Sequence, residues 1–403
     1  MSSQALSGGI RKERIEILDG MRGVAAVFVV LYHLIETYQN SSVHFINHAY
    51  LAVDFFFILS GFVVSYAYDE RLGHGLNIVS FFKRRFIRLH PMVVFATLLG
   101  AVLYCFQDCP WFPLIQDSTW CDVMIVAIMG ILFMPCGIYH DIRGWNEMFC
   151  LNSPQWTLFY EYIANICYGL FLCKLSNRGL WIMTVLTALL TLNLTLDLNI
   201  GQFMVNRSNL KYTVIGGWCW DCSDVFIGFT RLLFPFCCGM LIRRMGWKIA
   251  VRHRFEVCAF ILIGVFFVPK LPGMLNGIFE SCCILLVFPL LMIIGSGCGD
   301  KSKTKGVYLL LGRLSYPMYL IHFPIVYLQT AWVSLHPSAG LAENIVVTTA
   351  CFFSIMMTAH LSYKYYETPV RRRMVQYVVL KERLRVDTSA KMEDAEHEHR
   401  RST

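Results

Sequence analysis

Arg22 and His33 stand eleven residues apart in the run MRGVAAVFVVLYHL, residues 21–34. In a helix that separation is about 16 Å along the axis. A histidine this deep in an apolar segment is either a polar residue packed between helices or a general base. Its ring is the side chain whose unperturbed titration falls near neutral pH. Glu161 lies five residues after Trp156 in SPQWTLFYEYIANICYG. That puts it about 8 Å into its own segment, a depth at which it meets His33 from the opposite direction and orients the ring. Arg85 and Arg88, within KRRFIRLHP, are three apart on one helical face. They suit either a bidentate grip on a phosphate or an ordinary cationic anchor. Trp156, Ser315 and His322 are read as substrate-side or supporting residues, and Ser60, Ser315 and Cys167 as the side chains available should a covalent intermediate form.

The elements that must position these groups follow from composition. Of 403 residues, 56% are apolar and 15% charged, with a mean hydropathy of +0.52. Soluble proteins run near about 25% charged, so this chain has too little polar surface to cover soluble cores. Its apolar runs instead match the roughly 20 residues a bilayer-spanning helix needs. The expected class is an all-α polytopic membrane protein. In that setting ionisable residues are costly and functional by default, and the set is short: His33, Asp54, Glu161, Arg231, Arg313, His322 and His360.

Eleven apolar segments are visible, at about 22–40, 50–67, 91–107, 121–136, 155–173, 180–198, 226–242, 255–269, 276–296, 307–332 and 344–364. Basic clusters at Arg11 to Arg14, Lys83 to Arg88, Lys174 to Arg178, Arg243 to Arg254, Lys301 to Lys305 and Arg371 to Arg373 mark the cytoplasmic side. They place both termini there, which requires an even number of crossings. The expectation is therefore about ten spanning helices plus one re-entrant or buried segment, either 91–107 or 121–136. Residues 1–380 form one membrane domain, and 381–403 read as a charged, disordered cytoplasmic tail. The polar start carries no cleavable signal.

The net charge of +8 sits at helix ends, so it reports topology and not nucleic-acid binding. Most of the sixteen cysteines lie in apolar segments and pack as small hydrophobes. Cys219-Trp-Asp-Cys222 has C-x-x-C spacing, but a single pair is weak for a metal. No metal is expected, and a disulfide in a non-cytoplasmic loop is the preferred reading of that pair. Trp145, Trp218 and Trp220, in the outer loops, serve either as sugar platforms or as interface anchors.

Six blocks in order make the chain recognisable: ILDGMRGVAAVFVVLYHL, LAVDFFFILSGFVVS, FFKRRFIRLHP, SPQWTLFYEYIANICYG, LGRLSYPMYLIHFPI and YYETPVRR. Together they resemble the integral-membrane acyltransferase family 3, which O-acylates cell-surface glycans, from residue 15 to about 373. The resemblance implies an essential histidine at His33 paired in sequence with Arg22. It implies acyl-CoA handling at Arg85 and Arg88, and a Trp-Ser-Leu-x-x-Glu element at Trp156 and Glu161, with Thr157 keeping the hydroxyl. Some members carry a fused extracytoplasmic esterase-like domain. Here the expectation is direct transfer from His33 or the help of a separate extracytoplasmic transferase.

The reading is a bacterial inner-membrane enzyme that moves an acyl group, acetyl by expectation, from acyl-CoA to a sugar hydroxyl of a glycan or lipid-linked sugar. Acyl-CoA is its donor substrate, and no bound cofactor is expected. His33 is the base, Glu161 orients it, Arg22 supplies positive potential at the channel mouth, and Arg85 and Arg88 hold the CoA phosphates. The rival is a transporter or flippase of a lipid-linked or acylated glycan, against which stands the lack of an inverted repeat.

Overall fold

The computed structural model describes residues 3–38, 45–73, 77–137, 140–204, 210–297 and 304–378. The charged segment 381–403 and most of the Lys301 to Lys305 cluster lie outside the described residues. Each of the eleven apolar segments carries helix. In chain order these are α1 (Ser3–Glu36), α2 (Ala52–Gly73), α3 (Ile78–Tyr104), α4 (Trp120–Ile131), α5 (Gln155–Leu170), α6 (Asn177–Thr195), α7 (Cys222–Met245), α8 (Arg254–Phe267), α9 (Met274–Cys282) continued by α10 (Phe288–Gly295), α11 (Lys305–Leu335) and α12 (Leu341–Ser362). Among the described residues, extended pairing is limited to one isolated bridge, Glu147 with Cys219. The protein is an all-α, multi-pass membrane protein.

Among the described residues, eight helical spans are long and apolar enough to cross a bilayer, against the ten expected. The difference lies in α4, α5 and α8, which have 12, 16 and 14 residues. At 1.5 Å per residue these rise about 18 to 24 Å, short of a hydrocarbon core of roughly 30 Å. The segment 91–107 is not an interrupted piece. It is the later part of α3, which runs through Pro91 from Ile78, so Lys83 to Arg88 lie inside a helix and not before one. The short element between residues 91 and 136 is therefore α4. It is not buried, because Met124, Ile125 and Ile128 are exposed.

Two helix pairs frame the interior, α1 with α11 and α2 with α7. In lipid, helices associate by close approach at small residues. A Cβ on Gly61 would lie 2.1 Å from the Phe236 carbonyl oxygen, and one on Gly239 2.0 Å from that of Ile58. Between α1 and α11, a Cβ on Gly23 would lie 2.4 Å from the Leu311 backbone. Contact this tight holds Arg22 beside α11. Two π turns, Cys283–Val287 and Tyr363–Glu367, each end two residues before a proline, Pro289 and Pro369. A proline ring clashes with the carbonyl four residues earlier, and a widened turn relieves it.

The α2–α7 contact also buries a charge pair. Arg231 Nη2 lies 2.8 Å from Asp54 Oδ2, and both residues are nearly fully buried. Arg231 donates further to the carbonyls of Tyr50 and Gly216. Two of the intramembrane charges singled out by sequence thus satisfy each other.

Candidate active site

Two cavities enter the bundle from opposite ends. The first, about 420 Å³, lies at the end carrying the basic clusters and is lined by Arg22, Arg85, Arg88, Glu161, Ser60 and Ser315 among others. The second, about 580 Å³, lies at the far end and is lined by His33, Glu36, Glu147, Trp156, Arg231 and His322 among others. The first is called the inner and the second the outer cavity, after the orientation that the positive-inside rule favours.

In the inner cavity Arg22 is held on three sides. Its Nη1 lies 3.0 Å from Asp19 Oδ1, its Nε donates to Ser315 Oγ at 2.8 Å, and its Nη2 donates to the Gly312 carbonyl. Ser315 is therefore a support for Arg22 at the inner end. Arg85, buried on α3, places Nη2 2.8 Å from Glu161 Oε1, and Ser60 Oγ donates to the same oxygen at 2.9 Å. Arg88, one turn along, has no carboxylate partner among the described residues. The expected two-arginine fork is thus unequal, with one guanidinium committed to a carboxylate and one available.

Glu161 does not meet His33. Its side chain faces Arg85 in the inner cavity, whereas His33 opens on the outer one. Trp156 starts α5 in the outer cavity, and the helix turns Glu161 away toward α2 and α3. The carboxylate at His33 is Glu36, one helical turn along α1, with Oε2 3.1 Å from Nδ1. A carboxylate accepts, so Nδ1 carries a proton, and in the neutral ring Nε2 keeps its lone pair. Tyr32 Oη donates to the other oxygen of Glu36 at 3.2 Å. This base–orienter geometry is what general-base catalysis requires, with Glu36 in the role expected of Glu161.

His322 packs against His33, ring centroids 5.4 Å apart and planes 28° apart. Its Nδ1 lies 2.6 Å from the Tyr319 carbonyl. A carbonyl only accepts, so Nδ1 bears the hydrogen. Nε2 is buried without a hydrogen-bond partner.

Two residues, Val53 and Tyr319, line both cavities. Tyr319 Oη and Thr157 Oγ1 are 2.9 Å apart in a buried hydrogen bond. On α11, Ser315, Tyr319 and His322 follow at helical spacing, so one face of one helix presents the inner cavity, the partition and the outer cavity in turn.

The outer wall is aromatic, with Trp111, Trp145, Trp156 and Trp218; Trp220 instead packs on Phe159. Glu147 is buried there and accepts a short hydrogen bond from Tyr327 Oη. Arg143 stacks 3.7 Å over the Tyr327 ring. Burial pushes the Glu147 carboxyl up to about 7, and the Arg143 charge opposes the rise only in part. Neither Glu36 nor Glu147 stood out in the sequence. The i,i+3 spacing of His33 and Glu36 was a usable signal, whereas Glu147 sits in an irregular loop with no pattern to mark it.

The thiols of the C-x-x-C pair are not bonded to each other in this structure, Cys219 being half-buried and Cys222 exposed. Donor atoms of Cys219, Asp221 and Asp224 lie within 4.8 Å of one another. The two carboxylates already accept backbone N–H groups, Asp221 from Ser223 and Asp224, and Asp224 from Cys219. They hold the start of α7.

A family model described as an acyltransferase domain, the third family of that name, matches residues 15–361. The chain belongs to acyltransferase family 3. This family 3 protein is similar to a peptidoglycan O-acetyltransferase of Listeria monocytogenes, 23% identical over 384 residues, which cover 90% of this chain and 56% of that protein. An O-acetyltransferase of Staphylococcus aureus is 24% identical over 370 residues, 88% of this chain and 57% of the relative. The chain thus spans little more than half the length of these two relatives. A protein of the picA locus of Rhizobium radiobacter is 36% identical over 163 residues, 39% of this chain and 82% of that one. No solved structure matches.

Proposed function

We propose that this family 3 protein transfers an acyl group from acyl-CoA to a sugar hydroxyl of a cell-surface or secreted glycan, at a bacterial inner membrane. Acetyl is the favoured group, because the relatives are O-acetyltransferases by name. The observation that carries the reading is the layout of α1, which bears Arg22 in the cationic inner cavity and the His33–Glu36 dyad in the outer one.

The CoA phosphates bind at the inner end, with Arg88 as first contact and Arg22 and Arg85 adding positive potential. The thioester reaches the outer cavity past Tyr319 and Thr157. There the sugar hydroxyl gives its proton to His33 Nε2 while its oxygen attacks the acyl carbon. The carbon–sulfur bond breaks, and the proton passes on to the departing CoA sulfur. Glu36 holds the ring and stabilises the imidazolium. The tryptophans offer apolar faces to sugar rings. This step is direct delivery at His33; in the alternative route the acyl group passes instead to a separate extracytoplasmic transferase, which acylates the sugar.

Two cavities meeting at one wall also suit a transporter of a lipid-linked glycan, but family membership favours chemistry. The test is purified protein in vesicles with labelled acetyl-CoA and a glycan acceptor. Release of free CoA with acetylation of the glycan, both lost in His33→Gln, supports the enzyme. Glycan movement with the thioester intact would overturn it.

A further inference from the structure

The outer loop before α5 contains two thiols that the acyl-transfer reading does not use. Cys136 and Cys150 are both buried and both free thiols in the structure, and their sulfurs lie 3.4 Å apart. The segments carrying them are already paired, since Cys136 N donates to the Met148 carbonyl at 2.8 Å. The fourteen-residue separation encloses Asp141, Arg143 and Glu147. Arg143 donates from Nε and Nη2 to the Cys150 carbonyl. Cys150 is thus the point from which the wall of the outer cavity hangs.

The loop also sits at the far end of the bundle from the basic clusters. Tyr104, the last residue of α3, donates through Oη to the Ile142 carbonyl. It lies sixteen residues beyond Arg88, about 24 Å along the axis. Met148 N donates to the Trp218 carbonyl just before α7, whose other end carries Arg243 and Arg244. Two helices independently put the thiols opposite the cationic face, the side where disulfides persist.

From this geometry we infer that Cys136 and Cys150 form a disulfide that closes the outer loop around Glu147. The hydrogen bond shared with Cys150 holds the Cys136 thiol below the usual range, and on losing its proton Cys136 is the attacking thiolate. It attacks one sulfur of a disulfide oxidant of the thiol-exchange class, releasing one thiol and forming a mixed disulfide. Cys150 sulfur then displaces the second. Two electrons pass from the cysteines to the oxidant, one sulfur–sulfur bond breaks and one forms, and the two cysteine protons leave with the oxidant's thiols. Burial shields the bond once the loop has closed. The C-x-x-C spacing drew attention to Cys219 and Cys222, but tertiary contact selects a pair fourteen residues apart.

The test is alkylation mapping of the full chain, purified without reductant and equilibrated with oxidised glutathione. The protein is denatured, labelled with a maleimide, reduced, and labelled with a heavy maleimide. Heavy label on Cys136 and Cys150, linked in a non-reduced digest, is expected. Light label on both overturns the proposal, as does pairing of either with another cysteine. The single variants Cys136→Ala and Cys150→Ala and the double variant give a second measurement that does not depend on activity. A shared bond makes all three lower the thermal midpoint by the same few degrees, with dithiothreitol lowering wild type alike and the double variant not at all. Additive losses from the two single variants, with no effect of dithiothreitol on wild type, would instead mean two independent buried thiols.

Discussion

Tyr319 Oη and Thr157 Oγ1 share a buried hydrogen bond of 2.9 Å across the wall between the inner and outer cavities. On the acyl-transfer reading, every acyl group passes this pair. Tyr319→Ala is expected to open the wall, raise acyl-CoA hydrolysis in the absence of acceptor, and admit acyl chains longer than acetyl. Thr157→Ser keeps the hydroxyl and should leave transfer within about threefold of wild type. Measuring free CoA release with acetyl-, propionyl- and butyryl-CoA checks both. Unchanged hydrolysis and chain preference in Tyr319→Ala would place the route elsewhere.

His33→Gln keeps size and hydrogen bonding but loses the base. Transfer should fall on the order of 10²-fold or more, with donor binding retained. Glu36→Gln should lower kcat and leave the donor KM unchanged, because it weakens the ring's orientation without touching the inner cavity. Glu161→Gln should lower the donor KM instead, since it frees Arg85 from its ion pair and adds positive potential to the inner cavity. Steady-state kinetics of the three variants separates these roles. Equal kcat losses for Glu36→Gln and Glu161→Gln would argue against the division between cavities.

Arg88 forms no ion pair with a carboxylate among the described residues, so its loss reads on the donor alone. Arg88→Lys retains charge but not the planar fork. Calorimetry in detergent should show acyl-CoA affinity reduced several-fold with thermal stability unchanged. Arg85→Lys should cost stability as well, because Glu161 loses a charge-assisted hydrogen bond. Wild-type affinity in Arg88→Lys would refute phosphate recognition at this turn of α3.

Glu147 makes the outer wall pH-sensitive. Its carboxyl is raised by burial from 4.5 to about 7. Between those values the folded protein holds a proton that the unfolded chain has released. Stability therefore falls as pH rises through that window, by an amount on the order of 3 kcal/mol. Thermal midpoints measured from pH 4.5 to 8 should decline in wild type and flatten in Glu147→Gln. A profile unaltered by the substitution would mean that another group governs it.

The Asp54–Arg231 pair is closed off from water on both sides. Asp54→Ala leaves a buried guanidinium with one fewer acceptor, a loss of about 3–5 kcal/mol. Reduced yield of folded protein and a lower thermal midpoint are expected before any effect on chemistry, and size-exclusion profiles with melting curves would show them.

The sequence by itself determined the solvent this chain folds in and the number of its apolar helices. Both follow from composition and run length, because every backbone polar group in lipid must be satisfied within its own helix. It also separated Arg22 from His33 along one axis, since rise per residue is a local quantity. What it did not determine is which side chain faces which. Glu161 was aligned with His33 by depth alone, yet depth says nothing of the angle about the helix axis. Close packing of α1 on α11 at Gly23, and of α5 on α7 where Tyr160 lies against Gly228, sets those angles. It turned Glu161 toward Arg85, left His33 to Glu36, and put Tyr319 where the two cavities meet. Loop residues were least legible of all. Glu147, Arg143, Cys136 and Cys150 come together through carbonyl and N–H groups that carry no periodic signal, so only the tertiary structure decided that they form one wall.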